Sequence, residues 1–360
     1  MIDLEFERNN DGAYILDPEI IERDYQVSYN VNEITGVVLD CSYWLDNGEQ
    51  KVLAKTLPSN PKPYLMSIFG ELLFSKFAQK NNIPCADVDM GIHNGMYYTL
   101  SKSVIDKDEQ KISVRDLRRY CNNEDDHRLA TVKEVCSLLG VFSEKYDVSM
   151  VPKIDFKLKV YGIVDYLVAQ RDRNITNLIF GLKETEKGKV INLKPLIDNE
   201  GCFGFIYLYQ KYMDTKIPQA SFLYKSRKNR RKVNKFVKQA SLEGKKYELP
   251  VFGIKTVSRF DWDELGLKEF FAEIFNKSET KKFKDKVCLE IASEIRKDVK
   301  LKGLFKNLTF DANECGDEIF KETGIKIPKE YLMLAQEVFD TRKNDIYFAL
   351  DKLEQSEMGG

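Results

Sequence analysis

Histidine is scarce in this chain of 360 residues, which contains only His93 and His127. Neither stands beside a cysteine or a carboxylate at the spacing of metal ligands, so the sequence disfavours a structural zinc site. With only two histidines, a catalytic Ser-His-Asp or Cys-His arrangement is also disfavoured. The seven cysteines are odd in number and never spaced C-x-x-C, which favours reduced thiols in a cytoplasmic protein over a disulfide framework.

Long apolar runs are missing as well. No stretch approaches the roughly 20 residues that a membrane-spanning helix needs, and the first residues lack the basic-then-apolar pattern of a signal peptide. The 56 Lys and Arg residues nearly balance the 57 Asp and Glu residues, which argues against a wholly basic nucleic-acid binder and against an acidic tail protein. We therefore expect a cytoplasmic protein without a membrane span.

Apolar residues make up 43% of the chain and aromatic residues 12%, with only 10 prolines and 20 glycines. This composition supports a large buried core and fits neither a disordered chain nor a fibrous repeat. At this length the sensible expectations are one large bilobal domain or two domains.

The first hundred residues are patterned mainly as β-strands. Residues 34–57 predict a strand pair around the turn residues Asp46, Asn47 and Gly48, after a strand at residues 25–29. Residues 64–80 carry apolar side chains at helical spacing, and two short strands follow at residues 86–91 and 96–100. We expect a small antiparallel sheet with one helix in this part of the chain.

Beyond residue 113 the pattern becomes mainly helical, interrupted by a predicted strand pair within residues 177–197. Helices are predicted at residues 114–120, 129–146, 156–170, 262–275, 281–301, 329–340 and 345–353. The sequence thus predicts an α+β protein, with a small antiparallel-sheet lobe at residues 1–104 and a mainly helical lobe at residues 105–360.

A polar turn at residues 170–177 lies between an apolar helix and an apolar strand. It carries Asp172 and Asn177, five residues apart, and Asp198 follows the next hairpin. Phosphoryl transfer needs such a set: a carboxylate that orients the attacking hydroxyl, and hard oxygen ligands that hold Mg²⁺. The spacing alone also fits a turn-capping Asp and a solvated Asn, so that interpretation stays open.

Two upstream residues strengthen the phosphoryl-transfer interpretation through their order along the chain. Lys55 closes a predicted strand, where its ammonium can reach phosphates from the sheet. Glu71 follows 16 residues later on the predicted helix and can pair with Lys55. Taken singly, Lys55 also fits an exposed lysine on a strand, and Glu71 also fits the solvated face of a helix. As an ordered set on these elements they favour a catalytic site.

At these residues the chain resembles the protein-kinase-like superfamily, most closely its HipA-like branch, which also resembles the phosphoinositide kinases. That branch carries a D-R-x-x-x-N loop, matched here by residues 172–177, and a metal-binding Asp outside any D-F-G, matched by Asp198 in residues 197–201. The resemblance covers about residues 25–205. It implies a bilobal protein-kinase-like fold that uses ATP and Mg²⁺.

The resemblance also implies roles for individual residues. Asp172 would be the catalytic base, Asn177 and Asp198 the Mg²⁺ ligands, Lys55 the phosphate contact and Glu71 its partner. By position, four residues would form the hinge against adenine: Ser101, Lys102, Ser103 and Val104.

Some features depart from the family. The loop at residues 28–36 contains one glycine, Gly36, and no G-x-G-x-x-G, so its serine, Ser28, is the expected phosphate-loop contact. Gln170-Arg171 precedes Asp172 without the His of the eukaryotic H-R-D, and D-F-G and A-P-E are missing, which disfavours an ordinary eukaryotic-type kinase. Because the first predicted strand begins near residue 25, the amino-terminal cap domain of full-length HipA proteins is expected to be absent.

A basic segment follows the predicted metal-binding Asp. Residues 225–238, from Lys225 to Lys238, contain eight basic side chains and no acidic one. Such a run can be solvated surface, or it can bind an acidic, phosphate-bearing or RNA-bound partner near the place where kinases bind acceptors.

The leading functional hypothesis is an ATP- and Mg²⁺-dependent kinase that phosphorylates Ser or Thr on a protein substrate. The resemblance adds autophosphorylation and a toxin-like role in a bacterium, with an antitoxin partner that the sequence itself does not show. Two alternatives stay open: a lipid or small-molecule kinase with the same site, and a nucleotide-binding pseudokinase that acts as a binding module. The missing glycine-rich loop favours the pseudokinase, whereas the joint presence of Lys55, Asp172, Asn177 and Asp198 speaks against it.

Overall fold

The computed structural model describes residues 2–31, 38–56, 61–122, 132–170, 173, 175–204 and 278–358. Within these ranges the strands are β1 (Tyr14–Ile15), β2 (Gln26–Val31), β3 (Val38–Asp46), β4 (Lys51–Lys55), β5 (Val88–His93), β6 (Met96–Lys102), β7 (Glu109–Ser113), β8 (Val148–Met150), β9 (Ile179–Thr185) and β10 (Gly188–Leu193). The helices are α1 (Pro18–Asp24), α2 (Pro61–Lys80), α3 (Val114–Asn122), α4 (Val132–Tyr146), α5 (Ile154–Leu167), α6 (Ser278–Lys297), α7 (Val299–Asn307), α8 (Ala312–Thr323) and α9 (Lys329–Met358).

The amino-terminal region is built on a six-stranded sheet with the strand order β1-β5-β6-β4-β3-β2. Every neighbouring pair is antiparallel except β1 and β5, which run parallel. The predicted turn between β3 and β4 is present, and the carboxylate of Asp46 accepts a hydrogen bond from the Gly48 N–H at 2.9 Å. Asn94 and Gly95 connect β5 to β6 with positive φ angles of 49° and 74°, as a tight hairpin turn requires.

Helix α2 connects this sheet to the carboxyl-terminal helices. Its described side chains are buried almost all the way round, because the sheet covers one side and α8 another. Two lysines near its end bind acidic side chains of α8: Lys76 pairs with Glu322, and Lys80 pairs with Glu314 and Glu318 at 2.8 and 2.9 Å. The helix that carries Glu71 is therefore fixed from both sides.

A second, four-stranded sheet has the order β7-β9-β10-β8. The predicted hairpin forms its centre, with β9 and β10 antiparallel, while β8 adds parallel to β10. The residues before β9 and after β10 include Asn177 and Asp198, so the hairpin brings both ends of this segment together. Helix α5, which is almost wholly buried, packs beside β10.

Aromatic side chains join α2, α9 and the segment after Asp198 in one hydrophobic cluster, and a second cluster lies against the amino-terminal sheet. Phe310, in the connection between α7 and α8, stacks on Phe203 with ring centroids 4.9 Å apart, and it meets Phe77 of α2 and Phe339 of α9 at 5.7 and 5.5 Å. Phe203 is fully buried and lies only five residues after Asp198. The core thereby anchors the segment that carries this carboxylate.

The α+β class predicted from the sequence is confirmed, with a sheet-rich amino-terminal region and a mainly helical carboxyl-terminal part. The boundary at residue 104 stays a prediction. No helix among the described residues combines the length and the apolarity that crossing a membrane requires. The predicted helix at residues 262–275 lies outside the described residues.

Several predicted elements differ from the structure. The first strand is β1, not a strand near residue 25, and α1 follows it with Asp17 as its N-cap. The single helix predicted at residues 281–301 is broken in two, because Asp298 caps the start of α7 through hydrogen bonds from two backbone N–H groups. The two helices predicted within residues 329–353 are one continuous helix, α9.

Gly12 provides a test of the contact between the amino-terminal segment and α8. Its φ is 82°, and a Cβ there would lie 2.5 Å from the carbonyl oxygen of Thr323, whereas Gly48 has a similar φ of 86° and open space around it. We expect Gly48→Ala to lower the free energy of unfolding by about 1 kcal/mol through backbone strain alone. Gly12→Ala should cost about 2 kcal/mol more because backbone atoms must move. Urea denaturation of both variants measures this, and equal losses would contradict the contact.

Candidate active site

Lys55 closes strand β4 and faces away from the core of the sheet. Exposure alternates along the strand, with Val52 and Ala54 buried and Lys55 half-buried between solvent and protein. Its ammonium lies 3.0 Å from an oxygen of Asp198 and 3.1 Å from an oxygen of Glu200. Lys55 and Asp198, 143 positions apart, thus meet, and the segment after β10 is joined to the amino-terminal sheet.

Asp198 occupies an unusual backbone conformation at this junction. Its φ is 55°, in the left-handed region that residues other than glycine rarely adopt. The side chain of Gln170 holds the backbone by donating to the Asp198 carbonyl at 2.8 Å. The side-chain amide of Asn177 donates to the second carboxylate oxygen at 2.6 Å. Asn177, Asp198 and Lys55 therefore form one connected cluster.

A buried ion pair lies directly behind this cluster. Arg173 is fully buried and binds both carboxylate oxygens of Asp165 in α5, at 3.1 and 3.2 Å. The same guanidinium donates to the side chain of Asn199 at 2.5 Å and to the carbonyl oxygen of Ile197. Arg173 thus holds the turn after α5 and the residues on both sides of Asp198 in one arrangement.

Asp198 and Asp165 differ in how far neighbouring positive charges offset the effect of burial on their pKa values. Burial alone would raise the pKa of Asp198, but the charge of Lys55 and the hydrogen bonds from Lys55 and Asn177 outweigh it, so the pKa lies below its usual value. Burial dominates at Asp165 and raises its pKa to about 6 in spite of Arg173. Asp198 is therefore an anion at neutral pH.

Glu71 approaches the same cluster from helix α2. It is 4% exposed, and its carboxyl accepts a hydrogen bond from the N–H of Asn199, between Asp198 and Glu200. Its other oxygen, Oε2, has no hydrogen-bond partner in the described part of the chain. Burial, followed by the negative charges of Asp198 and Glu200, raises the pKa of Glu71 to about 8, and the charge of Lys55 only partly opposes this. The predicted role of Glu71 as partner of Lys55 stays a prediction.

Asp172, the predicted catalytic base, lies outside the described residues, as do its neighbours Arg171 and Asn174. The structure does describe Gln170 and Arg173 on either side of it, and both contact the segment around Asp198. The basic segment at residues 225–238 also lies outside the described residues.

Ser28, expected in a phosphate loop, belongs instead to strand β2. It is paired with Trp44 in the ladder between β2 and β3, which continues to Val31 with a local irregularity after Tyr29. Ser28 lies within the strand predicted at residues 25–29, although the predicted loop at residues 28–36 also began with it. Strand pairing extends further, and residues 32–37 of the connection lie outside the described residues.

The predicted hinge is placed at the end of β6. Ser101 and Lys102 are the last two residues of this strand, and Ser103 and Val104 follow it. The N–H of Lys102 donates to the carbonyl of Asp87 at 2.9 Å, and the N–H of Ser103 donates to a carbonyl at the start of β4 at 2.8 Å. Both N–H groups are therefore bonded within the protein.

Three contributors were missed by sequence reasoning: Asp165, Gln170 and Glu200. Asp165 had a detectable signal, because it is a charged residue inside an apolar helical run. Glu200 lies two residues after Asp198, but its contact with Lys55 depends on how the two chain segments meet in space. Only the structure shows that contact.

The donor set fits a divalent cation such as Mg²⁺. Asn177 and Asp198 supply hard oxygen atoms, and an ammonium already lies against Asp198 where positive charge is favoured. Within the described ranges, no three His, Cys, Asp or Glu side chains are grouped closely enough to hold a metal ion by themselves. A cation here would therefore complete its coordination with water or phosphate oxygens, as Mg²⁺ commonly does.

Comparisons with known proteins return similarity in structure only. No family model matches the chain, and no curated protein sequence matches it. Among solved structures, the chain is similar to the proinflammatory kinase CtkA of Helicobacter pylori, with 13% identity and a TM-score of 0.44 over 91% of this chain and 97% of that one. It is also similar to HipA of Shewanella oneidensis, solved with HipB and operator DNA, with 11% identity and a TM-score of 0.36 over 92% of this chain and 66% of that one.

These neighbours include the HipA-like branch that the sequence resembles. Both TM-scores are below 0.5, so the function proposed below rests on the geometry of the site itself.

The pKa of Glu71 predicts a pH-dependent stability. Because the folded protein raises this pKa from 4.5 to about 8, it binds the proton more tightly than the unfolded chain does. The stabilisation is complete below pH 4.5 and is lost as the pH rises through 8, with a magnitude on the order of 5 kcal/mol. We expect Glu71→Gln to flatten the decline in melting temperature of metal-free protein between about pH 5 and 8.

The exposed Glu184 offers a matched control for this measurement. Glu184→Gln should leave the pH dependence of the melting temperature as it is in the wild type. An unchanged decline in Glu71→Gln would show that another group is responsible.

Asp165→Asn tests whether Arg173 depends on its buried partner. Removing the carboxylate leaves a guanidinium uncompensated in the core, so the free energy of unfolding should fall by about 3 kcal/mol. The matched variant is Asp24→Asn, which removes a carboxylate from the exposed pair with Arg23 and should be close to neutral. Denaturant unfolding compares the two, and similar small losses would mean that Arg173 is stabilised without Asp165.

Proposed function

We propose that this chain is an ATP- and Mg²⁺-dependent phosphotransferase of the HipA-like kinase type. The observation that carries the proposal is the cluster in which Asp198 contacts Lys55 at 3.0 Å and Asn177 at 2.6 Å. These residues come from three separate places in the sequence, and phosphoryl transfer requires these three side-chain types together. A purely structural cluster has no need for a lysine and an acid–amide pair at the end of a strand.

Each residue has a distinct task in this proposal. Asn177 and Asp198 would hold Mg²⁺, which when bound offsets the negative charge of the ATP phosphates. Lys55 supplies a second positive charge from the end of β4. Asp172 orients the acceptor hydroxyl and accepts its proton as the oxygen attacks the γ-phosphorus, while the bond to the β-phosphate oxygen breaks and ADP leaves.

The sequence resemblance extends the proposal to the acceptor and the setting. It supports Ser or Thr of a protein substrate as acceptor, autophosphorylation, and a toxin-like role in the bacterial cytoplasm with an antitoxin partner. The basic segment at residues 225–238 would then attract an acidic or RNA-bound substrate.

Intact mass after incubation with ATP and Mg²⁺ tests the proposal directly. We expect the wild type to gain whole phosphates, on itself or on an added protein mixture, and Asp172→Asn to gain none. Asp172→Asn should still bind ATP, because the base orients the acceptor and does not hold the nucleotide. The control is Glu184→Gln, an exposed substitution on β9, which should behave as the wild type.

The other outcomes separate the alternatives. ATP binding without transfer to any protein, but with transfer to lipid or small hydroxyl compounds, would favour the alternative kinase. ATP binding without any transfer would favour a pseudokinase that acts as a binding module. Absence of ATP binding would overturn the proposal.

A further inference from the structure

The ammonium of Lys55 lies between two carboxylates. Its distances to Asp198 Oδ1 and Glu200 Oε1, 3.0 and 3.1 Å, are nearly equal. Both carboxylates are largely buried, with exposed side-chain fractions of 23% and 18%. A bridging position of this kind, equidistant from two anionic oxygens, is one that a small cation favours.

A second feature of the site independently indicates missing positive charge. Glu71 is buried, its Oε2 has no partner in the described part of the chain, and its carboxyl lies against the Asn199 N–H, between Asp198 and Glu200. Glu71 thus lies close to the two carboxylates that contact Lys55, and their negative charge acts on it. A buried carboxylate oxygen without a hydrogen bond is costly, and an additional cation nearby would relieve it.

The geometry points to Glu200 as a second carboxylate ligand of the divalent-cation site, beside Asp198 and Asn177. In the metal-free protein the ammonium of Lys55 stands in for the cation between Asp198 and Glu200. When a cation binds there, Lys55 is displaced from the two carboxylates and becomes available to a phosphate. This inference rests on the proposed function for its nucleotide, but the cation site itself is a separate property of the chain.

The position of Glu200 in the chain supports this assignment. Asp198 has a φ of 55°, and the backbone on either side of it is fixed by Arg173, which binds the Ile197 carbonyl and the Asn199 side chain. These contacts hold the segment on both sides of Asp198. Residues 198 and 200 both direct their carboxylates to Lys55, so they can share a cation without rearrangement of the backbone.

Binding of Mn²⁺ alone, measured by electron paramagnetic resonance and by calorimetry without nucleotide, tests the inference. We expect Glu200→Gln to weaken Mn²⁺ binding about tenfold or more, since even outer-shell partners of metals have effects of this size. Glu200→Asp should retain more affinity than Glu200→Gln because it keeps the carboxylate. Asp198→Asn should also weaken binding, and the exposed Glu184→Gln should not.

Lys55→Met provides the sharper test. If the ammonium competes with the cation, removing it should tighten Mn²⁺ binding severalfold in the absence of nucleotide. A general loss of structure would weaken binding instead, and melting curves of each variant identify that case. Unchanged or weaker Mn²⁺ binding by folded Lys55→Met would overturn the role of Lys55 as stand-in.

Two results would overturn the assignment of Glu200: wild-type affinity in folded Glu200→Gln, or no Mn²⁺ binding by the wild type. The readout is independent of phosphate transfer, so failure of the proposed function is distinguishable. A chain that binds Mn²⁺ through Glu200 but transfers no phosphate would keep the cation site and lose the kinase proposal. If the chain transfers phosphate but Glu200→Gln binds Mn²⁺ normally, the kinase proposal stands and the assignment of Glu200 as a ligand fails.

Discussion

The arrangement around Asp198 depends on a single electrostatic constraint: one ammonium, that of Lys55, lies against two carboxylates, with a third buried behind them. At separations near 3 Å in a partly buried site, such contacts are far stronger than exposed ion pairs. They join strand β4 of the first sheet to the residues that follow β10. The relative position of the two parts of the site is therefore set by charge as well as by packing.

Packing makes this contact geometrically defined. Phe203, five residues after Asp198, stacks on Phe310. Arg173 binds the carbonyl oxygen of Ile197 and the side chain of Asn199, on either side of Asp198. From the other side, α2 is held by the sheet and by ion pairs to α8, which fixes Glu71. The carboxyl-terminal helices thus contribute to the site by positioning residues that belong to other elements.

Local patterns were enough to predict most of the fold. The hairpin turns, the helical spacing before Lys80 and the polar turn before Asn177 are encoded by neighbouring residues, and the corresponding elements are present. Elements that depend on tertiary partners were missed. Strands β1 and β8 are only two and three residues long and exist through pairing with β5 and β10, and their sequences have no distinctive alternation.

Side-chain chemistry and order along the chain guided the choice of candidate site residues. Lys55, Asn177 and Asp198 were chosen by residue type and order, and the structure brings them into contact. Glu200 meets Lys55 from a distant segment of the chain, and neither sequence spacing nor composition reports such a contact. Ser28 lies in a strand, as the strand predicted at residues 25–29 requires, and its contact with a phosphate stays a prediction.

The energetics of the three carboxylates bear on the choice between a catalyst and a binding module. Burial and the two neighbouring anions raise the pKa of Glu71 to about 8, so the folded chain holds this group at a cost in stability near neutral pH. A module that only binds a partner gains nothing from such an arrangement, and replacement of Glu71 by an amide would remove the cost. A site that receives a divalent cation uses it, because the positive charge of the bound ion would lower the pKa of Glu71 and let its carboxyl ionise beside Asp198 and Glu200.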